Sequence, residues 1–329
     1  MSQSQIESRK APTALATFLP LVLASTLAFA PGARAADWVE RPFDPPAGSR
    51  WIIQSDETSE DNRDGHVQTS VMKETSELTI DQKIADGFRI TFVVRNAAYE
   101  GDARTAALIG PITRAIENLV VHATTGPNGM PLRVENLDEV LAASRAAIDR
   151  LTAPLASTPE VAATLRKMAT AMLIVDDKRA PKIYLATVAT LALGQNTGLR
   201  PGETRRDADE AANPFGGAPI KSNTMLRIDR ADPATGNVRL IRTRAFDSDA
   251  IREFLSRLAQ QTGGGDGKDT QKLDNFLKQF TMALDSRTEI DVEDGMTRAV
   301  RQEDTATASV PGHSIVKHGH KLMTVTRAP

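Results

Sequence analysis

Three of the chain's five histidines fall within the eight residues HSIVKHGH, His313 to His320. Imidazole is the commonest protein metal ligand. If His318 and His320 lay in one continuous strand, they would share a face, and His122 or His313 could supply a third zinc ligand. A plainer reading competes with this one. Strand-like sequence flanks His318-Gly319 on both sides, and a residue tolerant of positive φ followed by Gly makes a hairpin turn. We therefore expect His318 in a turn, with Lys317 opposite His320, which would set a cation beside the would-be ligand. No metal or other cofactor is expected.

Other chemistry-bearing patterns are weaker. Ser70 with Lys73, and Ser314 with Lys317, match the Ser-x-x-Lys spacing of acyl-enzyme formation, which needs both residues on one helical turn. Both pairs lie in strand-like sequence, where positions i and i+3 point to opposite faces. Asp176-Asp177 ends a helical segment. Asp207, Asp209 and Glu210 read as solvated charges of a polar loop, Glu203 to Glu210, shared with Arg205 and Arg206. Calcium-loop spacing is missing around Asp61 to Gly65 and around Asp291 to Gly295. The run Gly263 to Gly267 follows a helical pattern and reads as a flexible connection rather than a phosphate loop. No catalytic residue is assigned.

The elements that would position any site are easier to read. Asp64-Gly65, Asp86-Gly87, Asn128-Gly129 and Asp294-Gly295 stand between alternating runs, as tight hairpin turns do. In the clearest strand Phe88, Ile90, Phe92 and Val94 fall on one face, with Arg89, Thr91 and Arg95 on the other. Helices are expected over Asp138 to Leu151, from Pro159 with the stripe Val161, Leu165, Met168 and Met172, and from Pro181 to a stop at Gly194. Two more are expected, over Asp247 to Gln261 and over Leu273 to Leu284. The fold class is α+β: antiparallel hairpin meanders forming a curved sheet, or two packed sheets, covered by amphipathic helices.

An internal repeat accompanies this pattern. The segment from Leu78 and the segment from Leu226 both run Leu-x-Ile-Asp, a turn with Gly, an alternating strand, then Asp-Ala opening a helix. A second hairpin follows in each, from Asn128 and from Asp294. The expected organisation is a signal peptide over 1–35, an extended lead-in over 36–50, a first β-rich repeat over 51–136, a helical connector over 137–197 and a second repeat over 198–329.

Arg9 and Lys10, the apolar run Ala14 to Ala30 and the small-x-small site Ala33-Arg34-Ala35 have the layout of a cleaved secretory signal. A periplasmic or secreted location is expected, with cleavage near Ala35. The chain has no cysteine, so its core alone must hold it. No later segment is long and apolar enough to span a membrane as a helix. The formal charge is −2, with both signs mixed throughout, which argues against nucleic acid or anionic membrane surfaces as partners.

The strand and helix order from Trp51 to Pro329 resembles that of exported β-rich proteins of bacterial envelopes whose function is unknown. It is loosely similar to the half-barrel lipoprotein carriers, which close a curved sheet with helices over an apolar cavity. The resemblance is architectural and transfers no functional residue. The residues themselves are read as those of a non-enzymatic protein: a lipid or other apolar ligand, if one binds, is expected between sheet and helices, at the face of Phe88, Ile90, Phe92 and Val94 and the methionines Met168 and Met172, and the competing expectation is that these residues simply fill the core. The alternatives are an envelope hydrolase or metal-dependent enzyme, and an assembly protein that uses a sheet edge.

Overall fold

Long alternating runs punctuated by tight turns leave each strand's natural neighbour beside it in sequence, and the chain folds accordingly. The structure, a computed structural model, describes residues 40–153, 159–211, 220–246, 281–310 and 312–329. The strands are β1 (Arg50–Arg63), β2 (His66–Ile84), β3 (Gly87–Glu100), β4 (Val120–Thr125), β5 (Pro131–Val134), β6 (Thr204–Ala211), β7 (Ile220–Ala231), β8 (Val238–Phe246), β9 (Thr281–Glu293), β10 (Met296–Val310) and β11 (His313–Arg327). All eleven form one curved antiparallel sheet in the order β5-β4-β3-β2-β1-β11-β10-β9-β8-β7-β6. The alternative of two packed sheets is set aside. Two five-strand meanders lie side by side, and β11 pairs with β1 on one flank and β10 on the other.

The four turn dipeptides connect strands as expected. Asp64-Gly65 and Asp294-Gly295 hold positive φ at both residues, as a type I′ turn requires. The Leu-x-Ile-Asp motif has a structural counterpart: the ladder register shifts past Asp81 between β2 and β3, and past Asp229 between β7 and β8. Each acidic residue is the extra residue of a β-bulge.

His318-Gly319 is not a turn. Residues His313 to Arg327 form one uninterrupted strand, and Lys317 faces Asp61 and Ala306 rather than His320. The reversal falls between Val310 and His313, where Gly312 holds φ 86°. Gly319 keeps an ordinary backbone, and thirteen consecutive pairings with β1 outweigh its weak strand preference. The stretch Glu203 to Glu210 is likewise no loop: its charged residues form most of edge strand β6, where charge protects an open edge. Leu284, expected to close a helix from Leu273, sits in β9 opposite Ala306. The rest of that helix, the expected helix over Asp247 to Gln261, and Gly263 to Gly267 lie outside the described residues.

Between β5 and β6, at opposite edges of the sheet, runs the helical segment α2 (Leu137–Thr152), α3 (Pro159–Leu173), α4 (Ala180–Tyr184) and α5 (Ala186–Ala192); α1 (Ala103–Ala115) follows β3. The helix expected from Pro181 is broken at Leu185, whose backbone leaves the helical region. Leu185, Val188 and Leu191 join Ile53, Ile80, Ile90, Leu240 and Ile290 in the main core. Each fully buried aliphatic side chain there contributes roughly 1.5–3 kcal/mol. A second, smaller core joins Ile112 of α1, Ile148 of α2 and Leu165, Ala169 and Leu173 of α3. The lead-in docks as a strap: Glu40 accepts hydrogen bonds from the Thr197 and Gly198 amides (both 2.7 Å), and the Phe43 ring meets Phe88 edge-on at 5.2 Å.

Candidate ligand-binding site

Along the inner face of the central strands β2, β1, β11 and β10, the chemistry changes halfway. On β1 this face reads Trp51, Ile53, then Ser55, Glu57, Ser59, Asp61; on β11, from the same end, Val325, Met323, then Lys321, Gly319, Lys317. The apolar half lies under α5 and the strap. The polar half cannot be covered by an apolar core, because unpaired charges are costly to bury.

At this polar end lies a cavity of about 490 Å³. Its floor is one row of side chains across β2, β1, β11 and β10: Ser70 pairs with Ser59, Ser59 with Gly319, and Gly319 with Asp304. Small residues in the middle of the row make the depression. Met72, Tyr99 of β3 and Ile109 of α1 add apolar surface, while Glu57, Asp304 and Lys317 add charge. Lys321 Nζ stands 3.4 Å from the Glu57 carboxylate, and Gln302 Nε2 donates to Asp304 at 2.8 Å. Directly across from Lys317 on β1 is Asp61, whose carboxylate is taken by Arg63 at 2.8 Å. The volume lies within the range of about 300–1,000 Å³ typical of small-molecule sites.

Of the two sequence readings of the Phe88 face, ligand site or core filling, the structure bears out core filling. Phe88, Ile90, Phe92 and Val94 are 2 to 7% exposed and belong to the main core. The void where Ile80 and Ile90 meet Val188 and Leu191 measures about 10 Å³, the space of about one water and far below that of a ligand. Met168 and Met172 lie on α3, and their side chains are outside the described residues. The described core residues of α3 belong to the second cluster, so that helix and the Phe88 face serve different cores.

The histidines divide. Because β11 is continuous, His318 and His320 project together from the outer face, opposite the cavity. Glu60 and Thr305 flank His318, while Thr58 and Glu303 flank His320. Both imidazoles are exposed, over a shallow depression of about 320 Å³. His122 is on β4, bonded to Thr91 at 2.9 Å, and His313 holds Asp64 at the hairpin tips, also at 2.9 Å. Neither completes a site with the pair, and among the described residues no three potential ligands are grouped for a metal. Ser70 lines the cavity while Lys73, three residues on, points away from it, as strand geometry dictates.

Sequence reading missed the cavity residues. The available signal was the switch in character along one face of β1, which shows only when every second residue is read alone.

No family model matches the chain, and no curated protein matches it. Among solved structures it is similar to a lipovitellin described for its lipid–protein interactions, with 8% identity and a TM-score of 0.42 over 87% of this chain and 26% of that one. It is also similar to an outer membrane channel from Pseudomonas putida F1, with 10% identity and a TM-score of 0.17 over 86% of this chain and 97% of that one. The chain thus spans about a quarter of the lipovitellin chain (26%). At these scores the likeness carries no argument. Among the described residues no helix is long and apolar enough to cross a membrane.

Proposed function

We propose that this is an exported protein of the bacterial envelope that binds a small amphipathic molecule in the inner-face cavity. The observation that carries the reading is the contrast between two places on one sheet face. The apolar half is packed to a residual void of about 10 Å³, whereas the polar half leaves a half-open cleft of about 490 Å³ bordered by both apolar and charged side chains. A ligand with an apolar body and a polar end satisfies both kinds of wall.

The signal-like start motivates export, and cleavage after Ala35 is the expected processing. The scaffold is read as a duplicated five-strand unit. Its support is the parallel order of the two meanders and the matching bulges at Asp81 and Asp229.

The test is direct. Mature protein is purified from the envelope fraction, its N-terminus is sequenced, and an organic extract is analysed by mass spectrometry alongside that of Gly319→Ile protein, whose cavity floor is filled. The reading expects an N-terminus at Ala36 and a small molecule released only from the unaltered protein. A clean extract, together with no uptake of any single-chain amphiphile, removes the binding function.

A further inference from the structure

We infer that the cavity selects a single-chain amphiphile with a zwitterionic head, its anionic group held by Lys317 and its cationic group by Asp304. The inference rests on the binding function proposed above and names the ligand class for that same cavity.

Charge matching on the cavity floor carries the argument. Among the described residues three charged side chains line the space: Glu57, Asp304 and Lys317. Glu57 is matched by Lys321 at 3.4 Å. The carboxylate nearest Lys317 across the β1–β11 seam, Asp61, is committed to Arg63 at 2.8 Å, and Lys317 forms no ion pair among the described residues. Asp304 accepts a hydrogen bond from the Gln302 amide, which is neutral and leaves its charge unmatched. Among the described residues, one cation and one anion therefore face the same cavity without forming an ion pair.

They do not neutralise each other either. Asp304 pairs with Gly319 and Ala306 pairs with Lys317, so the two charges hold diagonal positions on neighbouring strands. Such positions stand about 7–8 Å apart, within reach of a long side chain, yet the two side chains form no ion pair. A head carrying both charges fits between the two side chains and matches each. A head with one charge would match one side chain and lie beside another of its own sign.

Gly319 and Ser59 leave room for the head at the floor. A Cβ added at Gly319 would meet only the Asp304 side chain, at 3.5 and 3.7 Å, which is ordinary van der Waals contact. Met72, Tyr99 and Ile109 lie to one side of this floor and give the chain an apolar wall. The volume, about 490 Å³, suits one drug-sized molecule, which favours a single chain.

Isothermal titration of the mature protein with dodecyl amphiphiles below their micelle concentrations tests this. Dodecylphosphocholine, dodecanoate, dodecyltrimethylammonium and dodecyl maltoside share the chain and differ in the head. The phosphocholine should bind about five- to tenfold more tightly than the other three, the gain expected of two partly exposed charge contacts. Lys317→Gln and Asp304→Asn should each remove most of that preference, bringing the phosphocholine affinity close to that of dodecyl maltoside for the same variant. Gly319→Ile and, independently, Ser59→Leu should abolish binding of all four, with a cooperative urea transition certifying that each variant is folded. Equal affinity for all heads, or a preference that survives both charge substitutions, overturns the zwitterion inference and leaves the binding function standing. Binding of none of the four overturns both.

Discussion

Gly319→Ile tests whether β11 runs through His318-Gly319 or turns there. Glycine in a strand interior costs about 0.5–1 kcal/mol in backbone entropy. Host-protein strand scales put β-branched residues up to about 1 kcal/mol above it. The new Cβ would meet only Asp304, at 3.5 and 3.7 Å, which is ordinary van der Waals contact. The remaining side-chain atoms would enter the cavity. We expect a gain of about 1 kcal/mol in unfolding free energy, read as a higher urea midpoint at unchanged slope. A true turn glycine gives the opposite sign. Gly295 holds φ 74°, and a Cβ there would overlap the Pro42 carbonyl, so Gly295→Ile should lose more than about 2 kcal/mol. If Gly319→Ile lowers the midpoint as Gly295→Ile does, the continuous strand and the cavity floor built on it are wrong.

Other perturbations follow from the same packing. Burial pushes the Asp291 carboxyl up, but hydrogen bonds from Arg239 (2.6 Å) and Arg301 (2.8 Å) outweigh it and hold the group below its usual range. A depressed carboxylate contributes stability above its unfolded pKa of about 3.9, and that contribution is lost as pH falls through the lower folded value. Asp291→Asn should therefore cost about 1–2 kcal/mol at neutral pH after allowing for solvent screening, and should flatten the acid limb of a stability–pH profile. Thr297 is fully buried, and its hydroxyl donates to the Leu191 carbonyl at 2.6 Å, tying α5 to β10. Thr297→Val should cost about 1–3 kcal/mol by leaving that acceptor unmet, read as a lower urea midpoint. The exposed pair His318 and His320 should carry no stoichiometric zinc after dialysis. Their double alanine variant should stay within about 0.5 kcal/mol of the parent, as exposed positions generally do, and elemental analysis with denaturation measures both.

Much of the architecture was legible in the sequence because its causes are local. Alternation at Phe88, Ile90, Phe92 and Val94 and the positive-φ dipeptides Asp64-Gly65 and Asp294-Gly295 each act within a few residues. The failures share one feature: the deciding partner was distant in sequence. His318-Gly319 has the composition of a turn, but strand β1, some 260 residues earlier by the pairing of Ser59 with Gly319, holds it extended. The charges of Glu203 to Glu210 suit a loop equally well, until β7 supplies a ladder.

The candidate site shows the division most clearly. Sequence alone determined that the chain carries long half-apolar strands and no cysteine. It also placed the three clustered histidines at the C-terminal end. Only the tertiary structure decided which face those histidines take and where space is left. Ser70, Ser59, Gly319 and Asp304 come from four strands spread over most of the chain and become neighbours only through pairing register. A cavity is a property of side chains that are small together. The sequence shows each as small, and only the ladder of hydrogen bonds sets them in one row.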